Sequence, residues 1–374
     1  MNSDILRVLK PLQTACTPPA SCYRSMDWFE REKDAVFRSA WHFICLGTSL
    51  EAAGQYVTRS ILGMSVLVAR NGDGALRAFI NVCRHRGAPL VCEDNGTAKA
   101  FVCSYHGWAY DVDGCLLRAP GLGASRELAA DRALVKLPVT ERQNMVFVNL
   151  DRGIASPEDH INRYMGDYFD RIAAPHAVSS MRCVRTRNYV VQANWKLYVE
   201  VDMETLHTPY VHGSSIGEQA VAPLHSEQEW IGVIHRSRGT PALRPNERQH
   251  AFPPAREAYG AGLEGTHFVV VLPGFFVITA PDCMWWIHKT PLSPDRTAVN
   301  VGYCFPKETL SSPEYAGRAK YYFARWDQVI HEDDRIVEHQ QRGLVDGIQG
   351  CYADAESVVH EFDKRIVEKV LGRV

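Results

Sequence analysis

Two stretches of the chain hold metal-binding residue types at spacings that let them converge. The first is Cys83-Arg84-His85, followed after seventeen residues by Cys103-Ser104-Tyr105-His106. Each half offers one thiolate and one imidazole, and two short loops can bring such pairs to one centre. Two chemistries fit. Two Cys and two His can hold one zinc tetrahedrally, or a two-iron, two-sulfide cluster with both thiolates on one iron and both imidazoles on the other. The ligand order is not that of a common zinc finger, which pairs Cys with Cys and His with His. Turn residues bound both halves: Gly87, Pro89 and Gly107. A cluster pocket with backbone N–H groups directed at sulfur needs such residues. The second stretch is Glu204, His207 and His212. A helix would carry Glu204 and His207 on one face. Pro209 disfavours helix at Thr208, and such a break would let His212 fold back toward His207. Two imidazoles and one carboxylate form the facial site of non-haem Fe(II) oxygenases, with open positions for O2 and substrate. The carboxylate need not be local, because a C-terminal helix offers Asp327, Glu332, Asp333, Asp334 and Glu338.

The elements around these residues are legible as patterns. Apolar residues at helical spacing predict a helix over 27–37. From 41 to 150 the texture is β-rich, with strands expected over 65–69, 76–82, 100–103 and 145–150. Hairpin turns are expected at Asn71-Gly72, Asp73-Gly74, Asn95-Gly96 and Asp113-Gly114. Beyond 157 the pattern mixes. Helices are expected over 159–172, 194–206, 313–339 and 356–370, and antiparallel strands over 184–192, 232–237, 266–280, 284–290 and 298–305. Runs of strands followed by helices indicate an α+β protein. The expected organisation is a helical segment over 1–40, an all-β domain over 41–155 that carries the Cys/His pairs, and a domain over 156–374 with an antiparallel sheet flanked by helices.

Composition narrows the classes. Of 374 residues, 46% are hydrophobic and 22% charged, the balance of an ordinary globular protein rather than of a disordered, collagenous or coiled-coil chain. Basic and acidic residues nearly cancel, 41 against 43, which argues against a nucleic-acid partner. The N-terminus has no basic start followed by an apolar run, so no secretory signal is read. The most apolar stretch, 268–280, falls short of the roughly 20 residues that span a bilayer and reads as buried strand. The expectation is a cytoplasmic protein with no membrane partner. Eleven cysteines, an odd number without a signal peptide, do not suggest a disulfide framework. Cys92 and Cys115, outside the motif, are expected as buried thiols.

The run C-R-H-R-G followed by C-S-Y-H-G-W resembles the Rieske [2Fe-2S] motif. Asn194-Trp195-Lys196, the two histidines, Glu332-Asp333, Glu338 and Gln341-Arg342-Gly343-Leu344 resemble the catalytic domain of Rieske non-haem iron oxygenases. The resemblance covers nearly the whole chain. It implies a [2Fe-2S] cluster on Cys83, His85, Cys103 and His106, and a mononuclear Fe(II) on His207, His212 and Asp333, with Asp334 the alternative in the acidic run. It also implies an N-terminal segment packed on the catalytic domain and a homotrimeric head-to-tail ring. Electrons would come from NAD(P)H through a separate flavin or iron-sulfur reductase. They would leave the cluster at His106 and cross to a neighbouring subunit's iron by way of Glu204, with O2 and a small molecule as substrates.

Much of the family carries Asp where this chain has Glu204. Glu there resembles the group acting on quaternary ammonium compounds such as carnitine, glycine betaine and choline, in which hydroxylation beside nitrogen leads to C–N cleavage. The alternative is an aromatic ring-hydroxylating or demethylating oxygenase. A reading of another class is a Rieske electron carrier without oxygenase activity, against which the second pair of histidines and the acidic helix argue. A structural-zinc protein would differ in being colourless. Trp285-Trp286, Phe275-Phe276 and Tyr210 are candidates either for pocket walls or for ordinary core, and only one of Trp285 and Trp286 can face inward from a strand. Arg84 and Arg86 fit a reductase-docking patch or a solvated loop equally well.

Overall fold

The computed structural model describes residues 3–121, 131–216, 219–237 and 239–373. The chain divides into two compact units, Arg38–Ile161, and Met1–Phe37 together with Asn162–Val374. No described helix is long and apolar enough to cross a membrane.

Among the described residues the Arg38–Ile161 unit holds three small antiparallel sheets. One consists of Trp41–Leu46, Met145–Asn149 and Val139–Arg142. The central five-stranded sheet runs Asn95–Thr97, Gln55–Ile61, Met64–Arg70, Leu76–Ile80, Lys136–Leu137 in spatial order. The third holds Phe101–Val102, Ala109–Tyr110 and Leu116–Arg118. The period of two along Met64–Arg70 explains the layering. Val66 and Val68 pack on one side with Ile44, Val146 and Val148. Leu67 and Ala69 pack on the other with Phe79, Phe101, Trp108 and the two cysteines Cys83 and Cys103. A sheet apolar on both faces thus puts a hydrophobic floor under the Cys/His loops. Asn95-Gly96 is not a turn, as its residue types suggested, but part of a short strand paired with Gln55–Val57. Gly96 is needed there because a Cβ would lie 2.6 Å from the Tyr56 hydroxyl.

The larger unit is organised on a seven-stranded antiparallel sheet in the order Met181–Val191, Arg296–Pro306, Met284–Ser293, Phe275–Thr279, Thr266–Val271, Trp230–His235, Ala222–Leu224. The expected continuous strand over 266–280 is two strands of a hairpin, because Pro273 and Gly274 turn the chain between Val271 and Phe275. Trp286 stands opposite Gly302, where a Cβ would come within 2.1 Å of its ring. The glycine therefore makes room for one tryptophan while its neighbour Trp285 faces the other side. Two helices of this unit, Trp195–Asp202 and the long Tyr315–Gly343, bring the second set of metal-binding residue types together.

Cysteine burial departs from expectation. Cys92 and Cys115 are exposed thiols, because each lies in a surface connection rather than on an inward-facing strand position.

Candidate metal centres

The Cys/His loops share one backbone design. The Cys83 N–H donates to Ala88 O at 2.8 Å and the Gly87 N–H to Cys83 O at 3.1 Å. In the second loop the Cys103 N–H donates to Trp108 O at 2.8 Å and the Gly107 N–H to Cys103 O at 2.9 Å. Gly87 and Gly107 hold φ of +78° and +69°, a left-handed conformation that glycine adopts without Cβ strain. Two matching turns therefore present the four side chains together. The thiols lie below, each 2% exposed. The imidazoles lie outward, with His85 exposed and the His85 and His106 ring centroids 4.7 Å apart. His85 also stacks on Trp108 at 4.8 Å. The Tyr110 hydroxyl accepts the Arg84 N–H at 3.0 Å and sits 3.6 Å from Cys83 Sγ. Burial and then the contact with Cys83 push its pKa up, so it stays a phenol that can donate to sulfur. Arg86 lies over the Tyr105 ring at 5.5 Å.

The second centre is assembled from three separate pieces of chain. Helix Trp195–Asp202 starts at Asn194, whose side chain accepts the Lys196 N–H at 3.0 Å, and ends at Met203. The expected helix over 194–206 is therefore shorter, and Glu204 stands in the turn beyond it. There its carboxylate accepts the backbone N–H groups of Leu206 and His207 and meets His207 Nδ1. Pro209 does not break a helix at Thr208. It sits in the first turn of helix Thr208–Val211, where a missing N–H costs nothing. His212 follows as that helix's C-cap, with its N–H on Thr208 O at 2.9 Å.

Helix Tyr315–Gly343 supplies the acids, and its period sorts them. Asp327 binds Arg185 and Arg187 at 2.8 and 2.9 Å. Asp334 accepts from the Tyr189 hydroxyl at 3.2 Å, and Glu338 from the Gln192 N–H at 2.9 Å. These three tie the helix to strand Met181–Val191 and the segment after it. Asp333, 100° around the helix from Asp334, points instead at the histidines. Its Oδ1 lies 2.8 Å from His212 Nε2 and 3.6 Å from His207 Nε2. Among the described residues, one ligand atom each from His207, His212 and Asp333 lies within 4.8 Å of the others.

Each imidazole is held from behind. His207 Nδ1 has Glu204, and His212 Nδ1 has Glu332 at 2.7 Å. Both Nδ1 atoms are thereby engaged, and both Nε2 atoms turn to Asp333. Burial lowers the His212 pKa, but Asp333 and Glu332 outweigh it and the net shift is upward. Glu332 in turn accepts from Ser215 Oγ at 2.7 Å and Gln328 Nε2 at 2.8 Å. Sequence reasoning noted Glu332 as one acid among five and missed this role. The signal was its place beside Asp333, which puts a second carboxylate on the histidine side of the helix.

The geometry fits metals at both centres. Asp333 Oδ1 is buried and makes no aligned hydrogen bond even with His212 Nε2 only 2.8 Å away. The two atoms converge on a common point rather than on each other, as ligands of one cation do. The first centre pairs buried soft thiols with outward imidazoles, the donor set of a Rieske cluster.

A cavity opens beside the triad. Its walls include Phe268, Phe276, Ile278, Trp285 and Ile287 from the large sheet, the alternate residues of adjacent strands. Of the aromatic candidates, Phe276 and Trp285 face this space, whereas Phe275 and Trp286 point away from it. Tyr210 is 88% exposed and is not one of the walls.

Comparison with known proteins matches both domains. Residues 40–138 match the Rieske [2Fe-2S] domain and residues 178–372 the ring hydroxylating alpha subunit catalytic domain. The carnitine monooxygenase oxygenase subunit of Escherichia coli (strain K12) is 30% identical over 341 residues, covering 89% of this chain and 85% of the relative. The glycine betaine monooxygenase oxygenase subunit of Chromohalobacter salexigens is 32% identical over 358 residues, covering 87% and 79%. The crystal structure of the quaternary ammonium Rieske monooxygenase CntA in complex with L-carnitine superposes with a TM-score of 0.77 at 24% identity, over 95% of this chain and 96% of that one. With both domains matched in order along one chain, the protein belongs to the ring-hydroxylating alpha subunits of Rieske oxygenases, iron-dependent oxidoreductases that carry a [2Fe-2S] cluster and a mononuclear iron.

Proposed function

We propose that the chain is the oxygenase component of a monooxygenase that hydroxylates a quaternary ammonium compound beside nitrogen, releasing an amine and a carbonyl product. The observation that carries this reading is the cavity beside His207, His212 and Asp333, walled by the aromatic faces of Phe268, Phe276 and Trp285. Such faces attract an alkylated ammonium by cation–π interaction and, unlike hydrogen-bonding groups, do not require an N–H. Relatives named for carnitine, glycine betaine and choline support the same class.

In this reading Cys83, His85, Cys103 and His106 hold the cluster, and His207, His212 and Asp333 hold the iron. The bound metals supply one-electron transfer at the first centre and O2 activation at the second. The residues around them do the positioning. Glu204 and Glu332 fix the ring orientation and tautomer of the two histidines. Burial of His212 keeps competing water from its side of the site. One oxygen atom enters a C–H bond and the other leaves as water, so two electrons and two protons are consumed; the electrons come from NADH through the reductase, and the protons from NADH and solvent. Glu204 also lies where the family resemblance places the acid linking cluster and iron of neighbouring subunits, and a head-to-tail homotrimer with exit at His106 is part of the proposal.

The test is turnover by the iron-loaded protein with a Rieske-oxygenase reductase, NADH and O2, offered carnitine, glycine betaine, choline and a panel of benzoates in parallel. Release of an amine from an ammonium compound supports the reading. Hydroxylation or O-demethylation of a benzoate, with no ammonium turnover, replaces it with the aromatic one.

A further inference from the structure

Three cationic side chains among the described residues of the larger unit are fully buried, and two have a carboxylate. Lys196 pairs with Glu32 at 2.6 Å, and Lys289 with Asp202. The third, Arg325, is 2% exposed. Its guanidinium lies over the Trp285 ring at 5.8 Å. Among the described residues no hydrogen bond or ion pair reaches it, and its Nε is buried without a partner. A guanidinium has five N–H donors, and leaving such a charge buried and unpaired is costly. Arg325 lines the cavity beside the triad. It stands two helical turns before Asp333, so Arg325, Val329 and Asp333 form one stripe of helix Tyr315–Gly343 along the cavity. Asp333 is directed at the two histidines and does not come within ion-pair distance. Burial lowers the Arg325 pKa to about 10, against the pull of Asp333, and the side chain stays charged at neutral pH.

We infer that Arg325 is the anion anchor of the substrate cavity and that the substrate it selects carries a carboxylate. The aromatic walls point the same way. Trp285 already faces Arg325, and Phe276 has Lys289 Nζ 4.9 Å from its centroid. Two of the three rings are thus shared with the protein's own cations. A ligand bringing only positive charge, such as an ammonium alcohol, meets an uncompensated guanidinium in a water-poor space. A zwitterion places its carboxylate on Arg325 as a forked, charge-assisted pair and keeps its ammonium for the remaining aromatic surface. The ammonium half of this picture rests on the proposed function; the anion half does not.

The experiment is calorimetric titration of the iron-loaded protein with matched pairs: glycine betaine and its methyl ester, carnitine and its methyl ester, benzoate and benzamide, with choline added alone. The expected result is that the betaine acids bind and their esters and choline bind at least about tenfold more weakly. Arg325→Gln should weaken the acids roughly 100-fold, the scale for removing one partner of a buried charge pair, and should not weaken the cationic esters, which no longer meet a like charge. Arg325→Lys should recover part of the loss. The comparison of acid and ester on the parent protein needs no variant to fold. If benzoate binds and benzamide and every ammonium compound fail, the anchor stands and the ammonium reading falls. Equal binding of acid and ester overturns the anchor while leaving the ammonium reading intact. Unchanged acid affinity in Arg325→Gln, or no binding by any acid, also overturns it.

Discussion

Glu332 does not face the cavity, yet the structure makes it a determinant of iron affinity. Its Oε2 accepts from His212 Nδ1 and Ser215 Oγ, both at 2.7 Å, and its Oε1 accepts from Gln328 Nε2 at 2.8 Å. All three neighbours are donors. In Glu332→Gln one of the two oxygens becomes an NH2 group. Placed on the His212 side, it opposes the Nδ1–H. Placed on the other side, it opposes the Gln328 amide, which cannot simply flip because its own oxygen accepts from Arg244 at 2.5 Å. Either way a donor loses its acceptor, at a cost of about 1–3 kcal/mol. At about 1.4 kcal/mol per decade, that is roughly 10–100-fold in affinity, the range known for partners behind a metal-bound histidine.

The assay is removal of Fe(II) by a competing chelator, with the visible absorbance of the cluster as an internal standard. Glu332→Gln is expected to release its mononuclear iron at roughly 10–100-fold lower chelator concentration, and Glu332→Ala at lower still, while the cluster spectrum stays that of the parent. Parent-like iron retention in both variants would refute the reasoning, because the orientation of His212 would then owe nothing to Glu332.

Further outcomes can be read with ordinary assays. Asp333→Asn should lose mononuclear iron by elemental analysis, whereas Asp334→Asn, whose partner is Tyr189, should keep it; the reverse pattern would shift the ligand register by one residue. Glu204→Ala should keep the cluster spectrum and lose turnover with a compatible reductase, and surviving turnover would remove Glu204 from the electron path. Burial raises the Glu200 pKa to about 7 beside Asp363, against the hydrogen bond from Tyr23. The folded state then holds a proton that the unfolded state has released, so stability should fall as pH rises from about 4.5 through 7. Glu200→Gln should flatten this slope of Tm against pH. Gly302→Ala should lower stability by about 1–3 kcal/mol, the usual cost of overpacking, because its Cβ would meet Trp286.

The parts of the fold legible in the sequence are those set by short periods. The β-rich run of 65–69 and the helical pattern of 313–339 come from local composition and spacing, and the structure places strand Met64–Arg70 and helix Tyr315–Gly343 there. The misreadings share a cause: a residue type carried a local preference that its neighbours overrode. Asn95-Gly96 has the composition of a turn, but Gln55–Val57 offers a strand partner and the Tyr56 ring needs the glycine's empty side. Pro209 has the composition of a helix break, but at the first turn of Thr208–Val211 the ring replaces an N–H that had no partner to lose. Within 266–280 the residues from 268 to 278 are apolar on both sides of Pro273-Gly274, so only that pair distinguishes one strand from two. The run's apolar character follows from burial rather than from length.

The candidate site shows the same division more sharply. Which residue types bind metal is visible in the motifs, because cysteine and histidine pairs at such spacings have few other uses. Which acid joins the histidines is not, since Glu332, Asp333 and Asp334 are chemically close and consecutive. That choice is made by rotation about one helix axis. A step of 100° per residue sends Asp334 to Tyr189, Asp333 to the two Nε2 atoms and Glu332 to the back of His212. Three adjacent acids thus take three different tasks, fixed by where strand Met181–Val191 and Gln192 after it hold the helix through Asp327 and Glu338. The same rotation puts Arg325 on the cavity side, eight residues before Asp333. Rotating the helix by one residue would exchange these tasks and bury a different acid against the histidines. The contacts of Asp327 and Glu338, made with Arg185, Arg187 and the Gln192 N–H rather than with the histidines, are therefore part of what selects the ligand.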